Sequence, residues 1–465
     1  MGSSDQHCDL AIVGAGPAGM AAALYAASQG MAVTLINGGD LLGYGLHGAY
    51  KSKGMYELAK DRLIALKMGR GYDPSGPDVR FDEIHDQLIT GTATLTEITL
   101  GYLKQMKVRV INGMGRFIDA HTLEVNGQRI RAPHFLIATG SRPRVLPGME
   151  VDGKLIMTSD HVVDVDESFR SLTVIGAGVI GCEFASIFTA FGAHVTLLDT
   201  ADRLLSHEDP DISAFITTVF TRNGVHVRFG ARTRSVSIVG GRVKTMLEDG
   251  STIISDRALV AIGRIACSDT LNLSVMGIEP GRAGVINVND NMQTSVPHIY
   301  AVGDVGERKT PLDLSLVHIA EAEGRLAVKH MLKQPSTLRS SHIPFIIFSM
   351  PMLAGAGLTE TLARQQYGDG VRVAKFLNAR NHRYHAMRAF DGYVKLIVGP
   401  PGDDRILGVR AVGAQADSVI GEAAVMIDNE IPYTYLLDSI HAHPSLTESL
   451  QNAARIIAGR LVPTL

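Results

Sequence analysis

Two glycine-rich turns are the residues of this sequence best suited to binding a phosphorylated cofactor. They share the spacing Gly-x-Gly-x-x-Gly and comprise Gly14, Gly16 and Gly19 in the first copy and Gly176, Gly178 and Gly181 in the second. In this spacing the first glycine makes a tight turn, the second lets the backbone approach a pyrophosphate, and the third lets helix and strand pack closely. The phosphate would then rest on the positive end of the helix. Two copies therefore predict two bound dinucleotides.

Each glycine turn lies between a strand and a helix that leads to a second strand, which is the context that gives the motif its specificity. The two passages are "CDLAIVGAGPAGMAAALYAASQGMAVTLIN" and "SLTVIGAGVIGCEFASIFTAFGAHVTLLDT". The residue that ends the second strand is expected to contact the adenosine ribose. In the first copy this residue is Asn37, which can accept one hydrogen bond, or alternatively only begins the turn "NGG".

The second copy ends in Asp199, with Asp202 three residues later. Two carboxylates near the 2′ position would repel a 2′-phosphate, so the sequence favours NADH over NADPH. Arg203 leaves the alternative open, because an arginine in that loop is able to bind a phosphate.

Composition and charge exclude several function classes. The 44 basic and 47 acidic residues give a net charge of -3, which provides no electrostatic reason to expect nucleic acid or an anionic membrane as a partner. No apolar run reaches the roughly 20 residues of a transmembrane helix, and the N-terminus lacks a signal-peptide pattern. The three cysteines, Cys8, Cys182 and Cys267, are far apart, so we expect a reducing, cytoplasmic location.

Five further segments follow in order along the chain: "LIATGSRPR", "ALVAIGRIACSDTLNL", "TSVPHIYAVGDV", "LVHIAEAEGRLA" and "HAHPSLTE". With the two glycine turns, they resemble the two-dinucleotide-binding flavoproteins, a family that includes dihydrolipoamide dehydrogenase, glutathione reductase, mercuric reductase and soluble pyridine nucleotide transhydrogenase. The resemblance implies an α/β fold with two Rossmann-like dinucleotide-binding domains, for FAD and NAD, plus a C-terminal α+β dimerisation domain. The expected FAD domain is discontinuous, 1–150 and 271–340, around an NAD domain at 151–270. The dimerisation domain is expected at 341–465.

The resemblance also implies residues that contact FAD or NAD. Asp304 is expected on the ribityl chain of FAD, and His318 near the isoalloxazine ring. The remaining predicted cofactor contacts are small residues in the strand-to-turn segments, namely Gly115, Ala138, Thr139, Gly140, Gly263 and Gly303.

Four residues match the family's reactive groups. Glu183 matches a glutamate that pairs with a lysine beside flavin N5, and Lys53 is the best match to that lysine, with Lys51 as the alternative. His443 and Glu448 match a histidine–glutamate pair in which the carboxylate orients the imidazole for proton transfer. In the family this segment reaches the partner's flavin, so the resemblance implies a homodimer. The alternative for His443 is an interface histidine without a retained role.

The disulfide-reducing members carry Cys-x-x-x-x-Cys in the stretch that here reads "NGGDLLGYGLHGAYKSK". Counted from Gly38 and Gly39, the two positions fall at Leu41 and Leu46, although the segment up to Lys53 is about three residues longer than usual. No cysteine occurs between Cys8 and Cys182 in any register. Leucine forms no thiolate and exchanges with no disulfide.

The sequence therefore predicts an FAD-dependent NADH oxidoreductase with a non-disulfide, small-molecule acceptor such as a quinone. The glycines, leucines and tyrosines of "LLGYGLHGAY" would shape a small apolar pocket, with His47 or His443 giving protons. Alternatives are a soluble pyridine nucleotide transhydrogenase, a redox-quiet FAD- and NAD-binding sensor, and an enzyme that oxidises an organic substrate.

His382 and His385 in "NHRYHAMR" invite a metal-binding interpretation. No cysteine or carboxylate accompanies them at ligand spacing, so the sequence favours a polar strand or loop and predicts no metal site.

Overall fold

The computed structural model describes residues 6–67, 78–307, 315–335, 338 and 342–460. It has the predicted α/β architecture, with two parallel sheets and a separate antiparallel sheet near the C-terminus. The helices longer than six residues are Pro17–Ser28, Lys51–Ala65, Phe81–Gln105, Val179–Ala190, Pro210–Arg222, Val317–Met331, Glu360–Tyr367, Asp417–Asp428 and Glu448–Ile457. Shorter α-helices are Ser159–Val162, His382–Met387 and Tyr435–Asp438.

The first parallel sheet has five strands, in the spatial order Ile299–Ala301, His134–Ile137, Leu10–Val13, Val33–Asn37 and Arg109–Asn112. Its strands are mostly apolar and buried, as expected for a parallel sheet covered on both faces. The edge strand comes from a part of the chain that follows the whole second sheet. The first sheet is therefore assembled from two separate stretches of sequence.

The second parallel sheet also has five strands, in the order Ile156–Met157, Arg257–Val260, Ser171–Ile175, His194–Leu198 and His226–Arg228. In both parallel sheets a central strand runs through a glycine turn into a helix, and the next strand pairs beside the central one. This repeated βαβ unit accounts for the two similar passages of sequence.

Smaller sheets complete two units, which we call the first and the second nucleotide-binding unit because each is built around one of the parallel sheets and its glycine turn. One mixed sheet contains Gln6–His7, Gln128–Arg131, Thr122–Val125 and Gly115–Asp119, in that order. An antiparallel sheet contains Thr233–Val239, Arg242–Leu247 and Thr252–Ser255, and a two-stranded sheet pairs Arg264–Ala266 with Ser141–Pro143.

The C-terminal sheet is antiparallel, with the order Phe345–Ile347, Met352–Gly357, Ile406–Gly413, Gly392–Val398 and Arg372–Leu377. Helices Asp417–Asp428 and Glu448–Ile457 pack against it. Within the described ranges, no helix is long and apolar enough to cross a bilayer.

Two buried cations in this sheet hold the C-terminal domain to the second nucleotide-binding unit. Arg410 is fully buried, and its Nε donates to Glu208 Oε2 over 2.9 Å. Nζ of Lys395 lies 3.0 Å from carboxylate oxygens of both Asp209 and Asp211, and 2.7 Å from Glu360. Buried charges are tolerated when they are paired and hydrogen-bonded. The two clusters therefore fix how segment 208–211 docks on the sheet.

We expect Arg410→Met to destabilise the protein by about 3–5 kcal/mol, because it leaves the Glu208 carboxylate buried without its cation. The double variant Arg410→Met with Glu208→Leu removes both charges and is expected to unfold at a higher temperature than Arg410→Met alone. Thermal unfolding of the FAD-loaded protein measures this difference. Arg222→Met is the matched control, since the Arg222–Asp391 pair is about half exposed and such pairs contribute roughly 1 kcal/mol or less. Equal losses in all three variants would contradict this assignment.

Candidate active site

A cleft opens at the carboxyl ends of the strands of the first parallel sheet, where such folds bind ligands. It is lined by most of the residues predicted to hold FAD, namely Gly14, Gly16, Asn37, Gly115, Ala138, Thr139, Gly140, Gly303 and Asp304. From the stretch in which the family carries its cysteines, the cleft lining includes Asp40, Gly43, Tyr44 and Gly45.

The first glycine turn has the shape that a pyrophosphate requires. A Cβ atom on Gly14, whose φ is +109°, would lie 2.2 Å from the carbonyl oxygen of Ala138, and one on Gly19 would lie 1.9 Å from that of Gly14. Around Gly16, by contrast, no atom of the described residues other than its chain neighbours lies within 4 Å of an added Cβ. The space beside Gly16 is therefore open for a ligand, and the residues present fit FAD.

The second glycine turn repeats this geometry. A Cβ on Gly176 would lie 2.3 Å from the carbonyl oxygen of Ala261, one on Gly181 would lie 1.8 Å from that of Gly176, and the space around Gly178 is open. The residues therefore also fit a second dinucleotide, NAD(H). Gly263, which follows the neighbouring strand, has a φ of +105° and marks the same edge of the second sheet.

Asp199 holds the second nucleotide-binding loop together. Its carboxylate accepts hydrogen bonds from the backbone N–H of Ala177 and from that of Ala201. Nη2 of Arg203 donates to the carbonyl oxygen of Ser206, and its Nη1 lies 3.6 Å from Asp202. The sequence left NADPH as an alternative because Arg203 could bind a 2′-phosphate. In the structure the guanidinium of Arg203 is thus already bonded within its own loop.

In the cleft itself, Asn37 donates from Nδ2 to Asn112, which leaves its carbonyl oxygen as an acceptor. Ser141 donates to Asp304 Oδ2 over 2.7 Å. The place expected for His318, near the isoalloxazine ring, stays a prediction. Nε2 of His318 lies 2.7 Å from the carbonyl oxygen of Pro344, and its ring does not line the cleft. The residues of the helix Val317–Met331 that line the cleft are Val317 and Ala320.

Lys53 and Glu183 meet at the junction of three parts of the chain. Nζ of Lys53 lies 3.0 Å from both carboxylate oxygens of Glu183, and the backbone N–H of Phe348 donates to Glu183 Oε1 over 2.8 Å. The Lys53 ammonium also lies 4.9 Å from the centre of the Phe348 ring. Lys51, the alternative lysine, instead pairs with Asp164 and is buried.

The stretch "LLGYGLHGAY" is built differently from the pocket that its sequence suggests. Leu46 is buried, and Leu41 and Leu42 pack against the core of the first unit, so the leucines do not form a pocket wall. His47 faces Asp40 at 3.9 Å. The aromatic ring that lines the cleft is Tyr44, and the Arg264 guanidinium lies 4.2 Å from the ring centre.

All three cysteines lie in described residues and are free. Cys182 is fully buried inside the helix of the second glycine turn, and burial raises the pKa of its thiol far above the ordinary range. A thiol with a raised pKa is not a nucleophile at neutral pH. Cys267 lines the cleft, and Cys8 lies at the start of the first unit, where burial raises its pKa.

His443 and Glu448 form the predicted contact in the C-terminal segment. His443 Nδ1 lies 2.9 Å from Glu448 Oε1, and the other carboxylate oxygen accepts from the backbone N–H of Ser445. His441 pairs separately with Glu422 at 3.1 Å, and this hydrogen bond raises the pKa of the His441 imidazole. The two histidines of "HAHPSLTE" therefore have different carboxylate partners.

The segment of His382 and His385 forms a short helix, not the strand or loop that the sequence favours. Nδ1 of His382 lies 3.2 Å from Nε2 of His443, a contact that sequence reasoning did not predict. His385 contacts the carbonyl oxygen of Ala379. The described residues contain no group of three or more histidine, cysteine or carboxylate side chains arranged to hold a metal ion.

Comparison with known families matches nearly the whole chain. Residues 8–324 match the model described as pyridine nucleotide-disulphide oxidoreductase, and residues 343–454 match the dimerisation domain of the same family, which indicates a homodimer. Dihydrolipoyl dehydrogenase of Bacillus subtilis (strain 168) is 35% identical over 464 residues, covering 96% of this chain and 97% of its own. That of Geobacillus stearothermophilus is 33% identical over 458 residues, covering 96% of each chain.

Solved structures agree with these matches. The crystal structure of LpdA from Mycobacterium tuberculosis superposes with a TM-score of 0.89 at 28% identity, covering 97% of this chain and 99% of LpdA. The Cu(II) complex of RclA, an HOCl-induced flavoprotein disulfide reductase from Escherichia coli, has a TM-score of 0.86 at 26% identity, covering 97% and 99% of the two chains.

We expect Gly178→Ala to weaken NADH binding while leaving folding and FAD content unchanged, because the methyl group has room in the protein but occupies the pyrophosphate's place. The measurement is the KM for NADH, expected to rise about 10-fold or more, together with flavin content and melting temperature. Gly176→Ala is expected to lower the melting temperature, since its Cβ would meet a backbone oxygen at 2.3 Å. Gly101→Ala, on an exposed helix with open space around it, is the control. An unchanged KM in Gly178→Ala would contradict the assignment of the second site.

Proposed function

Because the chain belongs to the pyridine nucleotide-disulphide oxidoreductase family, we propose that it is an FAD-dependent NADH:acceptor oxidoreductase without a redox-active cysteine pair. The proposed acceptor is a small molecule other than a disulfide, a quinone for example. FAD and NAD(H) are its cofactors. FAD, when bound, accepts a hydride from NADH and delivers two electrons to a second substrate.

The retained Lys53–Glu183 pair supports the electron-input half of this proposal. The side chain of Glu183 is 5% exposed and that of Lys53 is 33% exposed, so the ammonium is the part of the pair that is open to a ligand. A fixed positive charge stabilises negative charge that develops on a neighbouring group, and it needs no reorganisation during the reaction. Lys53 would act in this way on the reduced flavin, and Glu183 would hold the lysine in position.

The absence of a thiol at the family's cysteine positions is the single observation that carries the output half. The segment before Lys53 is about three residues longer than usual, so the register counted back from Lys53 moves the two positions from Leu41 and Leu46 to Tyr44 and Ala49. Neither register contains a cysteine. Without a cysteine pair at these positions there is no dithiol to exchange with a disulfide, and Cys267 in the cleft is a single free cysteine, so the electrons would pass directly to another acceptor.

Tyr44 is the residue of this stretch that we assign to the acceptor. Its ring lines the cleft and is held by the Arg264 guanidinium, which in turn donates to the side chain and the carbonyl oxygen of Ser141. Burial raises the pKa of Tyr44, so the side chain is a neutral phenol at physiological pH. A flat ring fixed in this way suits a planar acceptor, because aromatic rings stack in offset geometry.

His443 is the proposed proton source for the acceptor, and it would reach the flavin of the partner subunit. Its Nδ1 contact to Glu448 fixes which ring nitrogen carries the proton and holds the imidazole in position. The half-exposed ring, with 54% of the side chain accessible in the single chain, would meet the partner in the homodimer.

We expect NADH oxidation by the FAD-loaded homodimer with quinones as acceptors, and none with lipoamide or glutathione disulfide. Loss of NADH absorbance in steady state measures this turnover, and anaerobic bleaching of the flavin by NADH measures the input half separately. Turnover with lipoamide, the reaction named in the relatives, would contradict the proposal. Flavin that bleaches but is reoxidised only by nicotinamide analogues would indicate a transhydrogenase, and flavin that does not bleach would indicate a sensor.

A further inference from the structure

Two histidine rings meet on the surface of the C-terminal domain. His443 lies in the C-terminal segment, and His382 begins the short helix His382–Met387. Nδ1 of His382 is 3.2 Å from Nε2 of His443, and the rings meet edge to face with centroids 5.1 Å apart and an interplanar angle of 81°. Both rings are exposed in the single chain. The ring nitrogen of His443 that does not face Glu448 is therefore already occupied by a second imidazole.

The hydrogen-bonding chemistry fixes where the protons are in this chain of three groups. An ionised carboxylate only accepts, so Nδ1 of His443 carries the proton that is shared with Glu448. Neutral His443 then offers a lone pair at Nε2, and Nδ1 of His382 must donate to it. When His443 gains a second proton the bond reverses, Nδ1 of His382 accepts, and His382 carries its own proton on Nε2. A proton can thus cross His382 from one ring nitrogen to the other.

Asn381 holds the two rings together. Its Nδ2 donates to the carbonyl oxygen of Ser445 and to Oγ of Ser449, each over 2.9 Å, while its Oδ1 accepts from the backbone N–H of Arg383. Asn381 is itself buried. Asn381 therefore bonds to one residue before Glu448 in the chain, Ser445, and to one residue after it, Ser449. These bonds join the His382 helix to the His443 segment.

We propose that His382 is the terminal proton donor to the electron acceptor, with His443 and Glu448 behind it. This inference rests on the proposed function. In the dimer, Nε2 of His382 is the one ring nitrogen of the pair that has neither Glu448 nor the other histidine as its partner. It is therefore the nitrogen available to a substrate at the partner's flavin.

The proton balance is complete for a quinone. Forming a hydroquinone takes two electrons and two protons, and a hydride equivalent supplies both electrons and one proton. The Nε2–H bond of His382 breaks to form the acceptor's second O–H bond, while the Nε2 proton of protonated His443 moves to Nδ1 of His382. Both histidines are then neutral. Solvent returns one proton to Nε2 of His382, and the Nδ1 proton of His382 moves back to Nε2 of His443, which restores the starting state.

Other charged groups near the pair come from each neighbouring element. Glu448 contacts His443 directly, and His441 lies two residues before it with its own carboxylate, Glu422. Arg383 and His385 share the short helix with His382, and Nε2 of His385 is bonded to the carbonyl oxygen of Ala379. Among the described residues, Glu448 is thus the carboxylate bonded to the pair, and its loss would remove the group that orients His443.

The test compares His382→Asn with His385→Gln in the FAD-loaded homodimer. The asparagine amide keeps a donor toward His443 Nε2 but cannot carry a proton from one of its ends to the other. The control, His385→Gln, replaces a histidine of the same short helix by another polar side chain. Enzyme reduced anaerobically with NADH is mixed with a quinone or with ferricyanide, which takes electrons without protons. We expect quinone-driven reoxidation of His382→Asn to be slower by about 100-fold, the lower end of general-acid contributions. Flavin reduction and reoxidation by ferricyanide should be unchanged, and His385→Gln should behave as wild type throughout.

One further readout separates proton transfer from a structural role. Added imidazole should restore part of the rate in His382→Ala. Wild-type rates of quinone reduction in His382→Asn, or an equal loss with ferricyanide, would overturn the relay and leave the proposed function standing. Failure of every quinone to reoxidise wild-type flavin would overturn the proposed function and the relay with it.

Discussion

The ion pair between Lys53 and Glu183 is the contact that joins the parts of this protein. Lys53 lies on the helix that follows the first glycine-turn unit, Glu183 lies on the helix of the second glycine turn, and Phe348 brings the start of the C-terminal domain to the same carboxylate. A buried carboxylate is stable only when its oxygens have partners. Since each partner comes from a different part of the chain, the pair is complete only when all three parts are docked.

A second set of buried charges joins the second nucleotide-binding unit to the C-terminal sheet. Glu208 meets Arg410, and Asp209 meets Lys395, all of them buried. The unit that carries the second glycine turn is therefore fixed toward the first unit by ion pairs that include Lys53–Glu183 and Lys51–Asp164, and toward the C-terminal sheet by two clusters. Interfaces between domains within a chain usually permit relative motion. Here the paired charges would oppose it, which suits a reaction that needs two cofactors at a constant separation.

The parts of the fold that the sequence predicted are those in which a residue's role is local. Gly14 and Gly176 need a positive φ and a close backbone approach, and those requirements follow from the strand–turn–helix context alone. The Lys53–Glu183 contact was also predicted, although through the family resemblance and not through spacing. The buried ion pairs of Lys395 and Arg410 were predictable from the sequence but were not predicted. A cation inside an otherwise apolar strand, such as the lysine of "GYVKLIVG", indicates a buried partner of opposite charge.

What the sequence did not predict depends on contacts between distant segments. His382 and His443 are 61 residues apart, and nothing in either segment specifies the other. Of the residues of "LLGYGLHGAY" expected to shape an apolar pocket, Gly43, Tyr44 and Gly45 line the cleft, whereas the leucines pack inward. Likewise the carbonyl oxygen of Pro344 engages His318, a contact that the helix containing His318 does not reveal.

In the proposed reaction, electrons enter this protein from NADH and leave it without passing through thiols. Anaerobic titration of the FAD-loaded homodimer with NADH, followed by flavin absorbance, tests this claim directly, because a redox-active dithiol stores two electrons in addition to those on the flavin. We expect reduction to be complete after one NADH per flavin, with no further NADH consumed. Uptake of a second equivalent per flavin would contradict it.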